Sequence, residues 1–254
     1  MKLTQRTILI TGGTSGIGFE FAKQLLHGGN TVIVTGRDQK RLEEARQSLP
    51  GLNTIQSDVS DPSAIVRLYG DVLAQFPDLD TLINNAGIMR KLTLDQDRDL
   101  MDVTREIEIN LCGPIRMVQQ FLPHLKTRKD ALVVNVSSAV AFVPMPIAPV
   151  YSATKAALHS YSQSLRVQLK GSSVTVIELA PPGVETALFR GGEFAEETKG
   201  MSAMDVKVLV KKAIAGIESG CDEIRPGQSN LLKLMSRLAP GVALKMLSMA
   251  TKPK

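Results

Sequence analysis

The sequence predicts an α/β protein in which helices cover both faces of one doubly wound parallel sheet. Three observations support this fold class. Short runs rich in Val, Ile and Leu alternate along the chain with segments of helical periodicity. The runs do not alternate strictly between polar and apolar residues, which is typical of strands buried on both faces. No repeat, linker or low-complexity stretch divides the 254 residues, so we expect one domain over 1–254.

The predicted elements follow one another in regular order. Six apolar runs predict strands: Thr7–Ile10, Thr31–Val34, Asn53–Ile55, Thr81–Ile83, Ala131–Val136 and Val174–Leu179. Asp222–Ile224 is a candidate seventh strand. Six segments between or after them have helical spacing: Ile17–Leu26, Gln39–Ser48, Pro62–Gln75, Met101–Leu125, Val150–Leu169 and Met204–Ile217. Because strands and helices alternate, the strands are expected to run parallel.

Two segments lie outside this alternation. Residues 187–201 are rich in Gly and Glu, which predicts a mobile loop beside the substrate. Residues 229–254 form an amphipathic, basic tail that could lie on a membrane surface, cover the mouth of the active site or contact another subunit. Leu and Met dominate this tail and basic residues are few, so we favour packing within or between subunits over membrane contact.

Composition excludes several classes of function. The net charge is +5, but the basic residues are scattered, and with only seven Phe, three Tyr and no Trp we expect no nucleic-acid binding. The three histidines lack Cys or His partners at ligand spacing, so no metal site is expected. Cys112 and Cys221 are interpreted as free, buried thiols in a reducing cytoplasm. The first apolar run is too short for a signal peptide or membrane span.

A glycine-rich turn follows the first predicted strand and begins the first helix. It spans Thr11 to Gly18 with the spacing Gly-x-x-x-Gly-x-Gly, and its candidate cofactor-binding residues are Gly12, Thr14, Ser15, Gly16, Ile17 and Gly18. Glycines allow the backbone to approach a pyrophosphate closely, and the helix N-terminus offers free N–H groups and a positive dipole. The turn therefore predicts a dinucleotide site.

The end of the second strand bears on which dinucleotide is bound. An acidic residue at this place commonly binds a free ribose 2′-hydroxyl, whereas a 2′-phosphate needs a cation. Gly36 leaves room and Arg37 supplies a planar, bidentate donor, so NADP(H) is favoured over NAD(H). The alternative is that Arg37 begins a solvated loop and Asp38 only caps the next helix.

The candidate catalytic pair is Tyr151 and Lys155. Residues four apart on a helix share a face, so the two side chains should lie one above the other. A phenol has a pKa of about 10, and a nearby ammonium group lowers the pKa of the phenol, which makes it a usable acid or base. Ser138 follows the fifth strand, at the carboxyl edge of the sheet where ligands of such folds bind, and its hydroxyl could bind a substrate carbonyl there.

These motifs together resemble the short-chain dehydrogenase/reductase family over essentially the whole chain. The glycine turn, the run from Asn84 to Gly87, the spacing of Ser138, Tyr151 and Lys155, and Thr186 occur in the order typical of the family. The tail and the Ala-Pro-Pro run are similar to a bacterial branch named for genes of teichoic-acid D-alanylation, a name that describes genomic neighbourhood rather than chemistry. The resemblance implies a single Rossmann-type domain with a seven-stranded parallel sheet and a homodimer or homotetramer.

The resemblance also implies a role for each catalytic candidate. Tyr151 would be the general acid or base, Lys155 would lower its pKa and hold the nicotinamide ribose, and Ser138 would orient the carbonyl. Asn110 would interrupt a long helix and position a proton-relay water. Further cofactor contacts would come from Asp58 and Val59 at the adenine, from Asn85, Ala86 and Gly87 along the trough, from Ile17 at the pyrophosphate, and from Pro181, Val184 and Thr186 at the nicotinamide.

One residue departs from the pattern of the family. Pro182 stands where glycine is expected, and proline fixes φ and removes a backbone donor, so the wall behind the nicotinamide should be stiffer. The expected activity is NADP(H)-linked interconversion of a ketone or aldehyde and an alcohol. The apolar loop Ala139–Val150 indicates a largely hydrophobic pocket, so we expect a small, apolar substrate. The alternatives are a cofactor-binding sensor or scaffold without turnover, and an epimerase with the same Tyr–Lys pair.

Overall fold

The computed structural model describes residues 2–250, and in it a seven-stranded parallel sheet forms the centre of the molecule. The strands are β1 Thr7–Thr11, β2 Thr31–Gly36, β3 Asn53–Gln56, β4 Thr81–Asn84, β5 Ala131–Val136, β6 Val174–Leu179 and β7 Glu223–Ile224. Their order is β3-β2-β1-β4-β5-β6-β7, and all neighbouring strands run parallel. The predicted fold class is confirmed, and the candidate seventh strand is present.

Helices cover both faces of this sheet. They are α1 Gly16–His27, α2 Gln39–Ser48, α3 Pro62–Gln75, α4 Leu100–Val103, α5 Arg105–Ile107, α6 Gly113–Leu125, α7 Pro149–Gln168, α8 Ala187–Arg190, α9 Val206–Glu218, α10 Gln228–Leu238 and α11 Pro240–Ala250. Successive residues of β1 enter opposite layers: Ile8 packs in the core that contains Phe21 of α1, whereas Leu9 packs in the core that contains Phe121 of α6. Burial on both faces explains the continuous apolar runs.

The segment of helical spacing over Met101–Leu125 is helical in large part but is not one continuous helix. The segment contains α4, α5 and α6, with a π-helical turn at Glu108–Cys112 between α5 and α6. Pro114 has no N–H to donate to the carbonyl four residues earlier, which belongs to Asn110. The interruption that the family resemblance implied therefore lies at Asn110, in a wide turn of the kind often found at functional sites.

The two segments outside the alternation are both structured. In 187–201, α8 and a 3₁₀ turn at Gly192–Phe194 are held by the buried side chains of Phe194 and Thr198, and the mobility of this loop stays a prediction. The tail forms α10 and α11, which meet at Pro240, and its residues 251–254 lie outside the described part. No helix among the described residues is both long and apolar enough to span a bilayer.

The expectation of two buried thiols was wrong. Cys112 is half-buried at the π-helical turn, and Cys221 is exposed. Cys221 follows Gly220, whose positive φ of 77° ends α9 in a surface turn, so its side chain has no core to enter. Both cysteines are free, as predicted.

Candidate active site

A cavity of about 910 Å³ lies along the carboxyl edge of the sheet. It begins where each of five strands has just ended, at Gly12, Arg37, Asn85, Ser137 and Pro181. The order of the sheet reverses between β1 and β4, which leaves a crevice where such folds bind ligands. Every predicted site residue lines this cavity except Gly18 and Asn110, which lie behind its wall.

The glycine turn is held against β4 without room for side chains. Gly12 and Gly16 have positive φ angles of 67° and 56°, which L-residues rarely adopt. A Cβ on Gly12 would lie 2.7 Å from Cα of Ala86, and a Cβ on Gly18 would lie 2.4 Å from the carbonyl oxygen of Gly12. The turn therefore needs glycine both for its conformation and for its packing beneath the cavity.

The turn is also tied to the end of β4 by hydrogen bonds that the sequence did not reveal. The Thr11 hydroxyl oxygen accepts from the N–H groups of Asn85 and Ala86, each at 3.1 Å. Nδ2 of Asn85 donates in return to the carbonyls of Thr11, at 3.0 Å, and Gly12, at 2.9 Å. The two strands that flank the crevice are thus fixed to each other at its floor.

The end of the cavity beside β2 carries two exposed arginines. Arg37 lies there as predicted, and Arg41, which sequence reasoning missed, lies beside it. Asp38 accepts a hydrogen bond from the N–H of Arg41 at 3.1 Å and caps α2, as the alternative interpretation proposed for that residue. Oδ1 of Asp58 accepts from the N–H of Ser60 at 2.9 Å, so this carboxylate shapes its own turn beside the cavity.

Tyr151 lies at the centre of the cavity wall, on the first turn of α7. Its side chain is buried and hydrogen-bonded to the Ser138 hydroxyl. Burial raises the pKa of Tyr151 to about 12, although the hydrogen bond from Ser138 opposes this rise. The direction is opposite to the one predicted from Lys155 alone, because the cost of burying a phenolate exceeds the nearby favourable interactions.

Lys155 lies one turn further along α7, with Nζ 5.6 Å from the centre of the Tyr151 ring. The ammonium group donates to the carbonyl of Val136 at 2.8 Å, which points it toward the end of β5. Burial lowers the pKa of Lys155 to about 8, and the negative charge of Glu178 opposes this shift. With these pKa values the tyrosine is protonated at neutral pH, and the lysine loses its charge as the pH rises through about 8.

Asn110 supports the cavity from behind. Its Oδ1 accepts from the N–H of Ile88 at 2.9 Å, and its Nδ2 donates to the carbonyl of Ile88 at 2.8 Å and to the Thr154 hydroxyl at 3.2 Å. A Cβ on Gly87 would lie 3.2 Å from Oδ1 of Asn110. The fully buried asparagine thus joins the loop after β4 to α7, the helix that carries Tyr151.

A sequence model of the family described as short chain dehydrogenase matches residues 6–196. The chain belongs to the short-chain dehydrogenase family. An uncharacterized oxidoreductase of Bacillus subtilis (strain 168), DltE, is 43% identical over 227 residues, which cover 88% of this chain and 89% of that protein. The resemblance inferred from the motifs is confirmed.

Solved structures of the family have the same fold. A 3-ketoacyl-(acyl-carrier-protein) reductase from Brucella melitensis, complexed with NADH, is 26% identical with a TM-score of 0.77 over 90% of this chain and 94% of that one. A short-chain dehydrogenase from Sphingobium yanoikuyae in complex with NADPH is also 26% identical, with a TM-score of 0.76 over 84% of both chains.

In this short-chain dehydrogenase, the wall on the far side of Tyr151 is held by backbone hydrogen bonds. The carbonyl of Pro181 accepts from the N–H of Ala139 at 2.8 Å, and the carbonyl of Gly183 accepts from the N–H of Met204 at 2.8 Å. Pro182 lies between these two hydrogen-bonded residues. Because both bonds use carbonyl groups as acceptors, the missing N–H of Pro182 removes neither of them. Apolar side chains line the remaining wall: Met89, Val140, Met145, Leu188, Phe189, Leu232, Met235 and Leu247.

A buried cluster behind Ser138 and Lys155 was not predicted. Glu178 of β6 is 1% exposed and accepts a short hydrogen bond from Ser137, the neighbour of Ser138. Its second oxygen lies 2.6 Å from Nδ1 of His159, one turn beyond Lys155 on α7. A charged residue inside an otherwise apolar strand was the available signal, because such a group is buried only when it is paired.

The same cluster reaches the surface through Glu223 of β7. His159, Glu178 and Glu223 lie close enough together to resemble a metal-ligand set. Lys233 of α10 and Arg225 nevertheless both donate to Glu223. Burial raises the pKa of Glu223, but hydrogen bonds from Lys233 and Gln163 and the neighbouring cations lower it to about 2. The acceptor oxygens are thus engaged by protein donors.

Proposed function

We propose that this protein is an NADP(H)-dependent oxidoreductase that interconverts a ketone or aldehyde and an alcohol, with Tyr151 as the general acid or base. The observation that carries the proposal is that one cavity contains both the glycine turn and the hydrogen-bonded pair of Ser138 and Tyr151, with Lys155 one helical turn away. A proton donor beside a dinucleotide cradle is what hydride transfer to a carbonyl requires.

The cavity fits a dinucleotide phosphate. Gly12 and Gly16 leave the floor of the turn free of side chains, and Ser15 makes no side-chain cap, so the N–H groups at the start of α1 remain available to a pyrophosphate. Arg37 and Arg41 at the far end favour a 2′-phosphate, and Asp38 is engaged in capping α2. The relatives solved with NADH and NADPH support a nicotinamide cofactor.

The residues around the nicotinamide end would share the work of the reaction. When bound, the nicotinamide supplies or accepts the hydride. Ser138 would donate a hydrogen bond to the substrate oxygen, and Tyr151, protonated at neutral pH, would deliver its proton to that oxygen in the reductive direction. Lys155 would bind the ribose hydroxyls and carry the charge that steadies a phenolate, while Val184 and Thr186 would hold the carboxamide.

A panel of ketones and aldehydes of graded length, each assayed with NADPH and with NADH, tests this proposal. We expect consumption of NADPH, at least about tenfold faster than of NADH, because a charged hydrogen bond contributes about 1.5–3 kcal/mol. Tight NADPH binding without turnover of any substrate would contradict an enzyme and favour a sensor. The homo-oligomer and the cytoplasmic location stay predictions.

A further inference from the structure

Helices α10 and α11 each carry two apolar faces. On α10 the inner face, with Leu232 and Met235, lines the cavity, and the outer face presents Leu231, Leu234 and Leu238, which are 57%, 55% and 75% exposed. On α11 the inner residues are Ala243, Leu247 and Ala250, and the exposed residues are Val242, Met246 and Met249, at 56%, 52% and 54%. We call the six exposed side chains the outer face of the tail.

The inner residues line the cavity, so they explain why the tail packs over it. The same packing does not explain why the outer face is apolar. On each helix the exposed residues are three or four positions apart and so form an apolar stripe, and large exposed apolar surfaces mark interaction sites. Met246 belongs to both faces, since it lines the cavity and is half exposed. The exposed stripe on α11 therefore reaches the lining of the site through Met246.

Charge distinguishes the possible partners of the outer face. From Ile224 to Lys254 the sequence contains no Asp or Glu, whereas it contains Arg225, Lys233, Arg237, Lys245, Lys252 and Lys254. Lys233 is bonded to Glu223, but Arg237 and Lys245 are exposed on the same two helices as the outer face. A helix with a basic border and a Leu- and Met-rich face matches the interface of an anionic membrane.

A second copy of the same face fits less well. Self-association through the tail would bring the cations of two copies together, and neither tail offers a carboxylate to pair with them. Like charges facing each other across an interface oppose association. An anionic bilayer suits both the charge and the apolar stripes of the tail, because its lipid headgroups attract the cations and its acyl chains accept the leucines.

We propose that α10 and α11 seat the protein on anionic membrane surfaces and that its substrate is a lipophilic carbonyl or alcohol which enters from the bilayer. This inference rests on the proposed function for the identity of the reacting group, but not for the membrane contact. A long alkyl chain would pass beside Met246 and lie against Leu232, Met235 and Leu247, which places its polar end near Tyr151.

Co-sedimentation of the whole protein with vesicles tests the membrane contact. We expect binding to vesicles of phosphatidylcholine and phosphatidylglycerol, weaker binding at high salt, and little binding to phosphatidylcholine alone. The double variant Leu234→Glu/Leu238→Glu should lose at least about tenfold in binding, because it places charges in the apolar contact. Val167→Glu, on an exposed apolar residue of α7, is the matched control and should bind as the parent does.

Two results would overturn the membrane contact. One is equal vesicle binding by the double variant and the parent. The other is a parent that binds neither vesicle type but is a dimer in sedimentation equilibrium, which the double variant converts to a monomer, because the outer face would then be an interface between copies. NADPH titration of each variant shows that it is folded, since neither Leu234 nor Leu238 lines the cavity.

A second assay separates this inference from the proposed function. NADPH consumption is measured with a long-chain aldehyde held in anionic vesicles and with a short, water-soluble aldehyde. We expect the double variant to lose at least about tenfold in rate on the first and nothing on the second, in line with its weaker vesicle binding. Equal loss on both would contradict delivery from the membrane. Vesicle binding without turnover of either would contradict the proposed function and leave the membrane contact standing.

Discussion

The two ends of the cavity are built in different ways. The end that we propose for the cofactor, called the cofactor end, is formed by a short contiguous stretch, Thr11 to Gly18, fixed to the end of β4 by Thr11 and Asn85. The substrate end is formed by the loop after β5, the wall after β6, and the tail. The first depends on local backbone conformation, whereas the second depends on contacts between distant parts of the chain. This difference decides which substitutions should damage binding and which should alter selectivity.

The largest effect on the cofactor end is expected from Gly12→Ala. The new Cβ would meet Cα of Ala86 at 2.7 Å, and a left-handed conformation costs an L-residue about 1–2 kcal/mol. We expect NADPH to bind at least about 30-fold more weakly, measured by fluorescence titration, since strain and collision add. Gly29→Ala is the matched control, because Gly29 also has positive φ but no atom would lie within 4 Å of its Cβ. Equal NADPH affinity in the two variants would contradict the proposal that the glycine turn binds the cofactor.

A smaller and more selective effect is expected from Arg37→Ala. Loss of a charged hydrogen bond to a 2′-phosphate should weaken NADPH binding at least about tenfold, and NADH binding should be unchanged. Isothermal titration with both cofactors measures this ratio. Arg46→Ala, on the exposed surface of α2 where Arg46 pairs with Glu43, is the control and should change neither affinity. A variant with the NADPH affinity of the parent would contradict the assigned preference.

The smallest effect, a displaced pH profile, is expected from Glu178→Gln. The charge of Glu178 raises the pKa of Lys155 against burial, so its removal lowers that pKa further below about 8. If the protonated lysine supports turnover, activity is retained below this pKa and lost as the pH rises through it. The alkaline limb of the pH–rate profile should therefore move to lower pH.

Glu223→Gln gives the comparison for that profile. Glu223 belongs to the same cluster but binds Lys233 and Arg225 near the surface. Its variant should keep the alkaline limb of the parent while the thermal stability changes. An identical displacement in both variants would indicate a general loss of packing rather than an electrostatic effect on Lys155.

The same comparison explains what could be predicted from the sequence. The glycine turn and the Tyr151–Lys155 pair were predictable because a positive φ and a helical turn are local properties of the chain. The turn at Asn110 has a local cause in the missing N–H of Pro114, but the hydrogen bonds that tie Asn110 to Ile88 connect distant parts of the chain, and periodicity does not report them. The raised pKa of Tyr151 depends on burial by surrounding elements, which helical spacing does not report.

The substrate end was the least predictable part. The tail was recognised as amphipathic, but nothing in its periodicity distinguished the face over the cavity from the face toward solvent, since both are rich in Leu and Met. Arg41 and Glu178 were missed for a related reason. Arg41 reaches the cavity because Asp38 fixes the start of α2, and Glu178 is buried because it pairs with His159 of the helix α7 that packs on its strand.

The most direct test of the central claim is Tyr151→Phe, examined for cofactor binding and for turnover in the same preparation. Phenylalanine retains the buried ring and removes the proton, so NADPH should bind within about threefold of the parent. Turnover of any substrate found in the panel should fall by about 10²–10⁴-fold, the usual contribution of a general acid. Full turnover in this variant would contradict the assignment of Tyr151 as the proton donor.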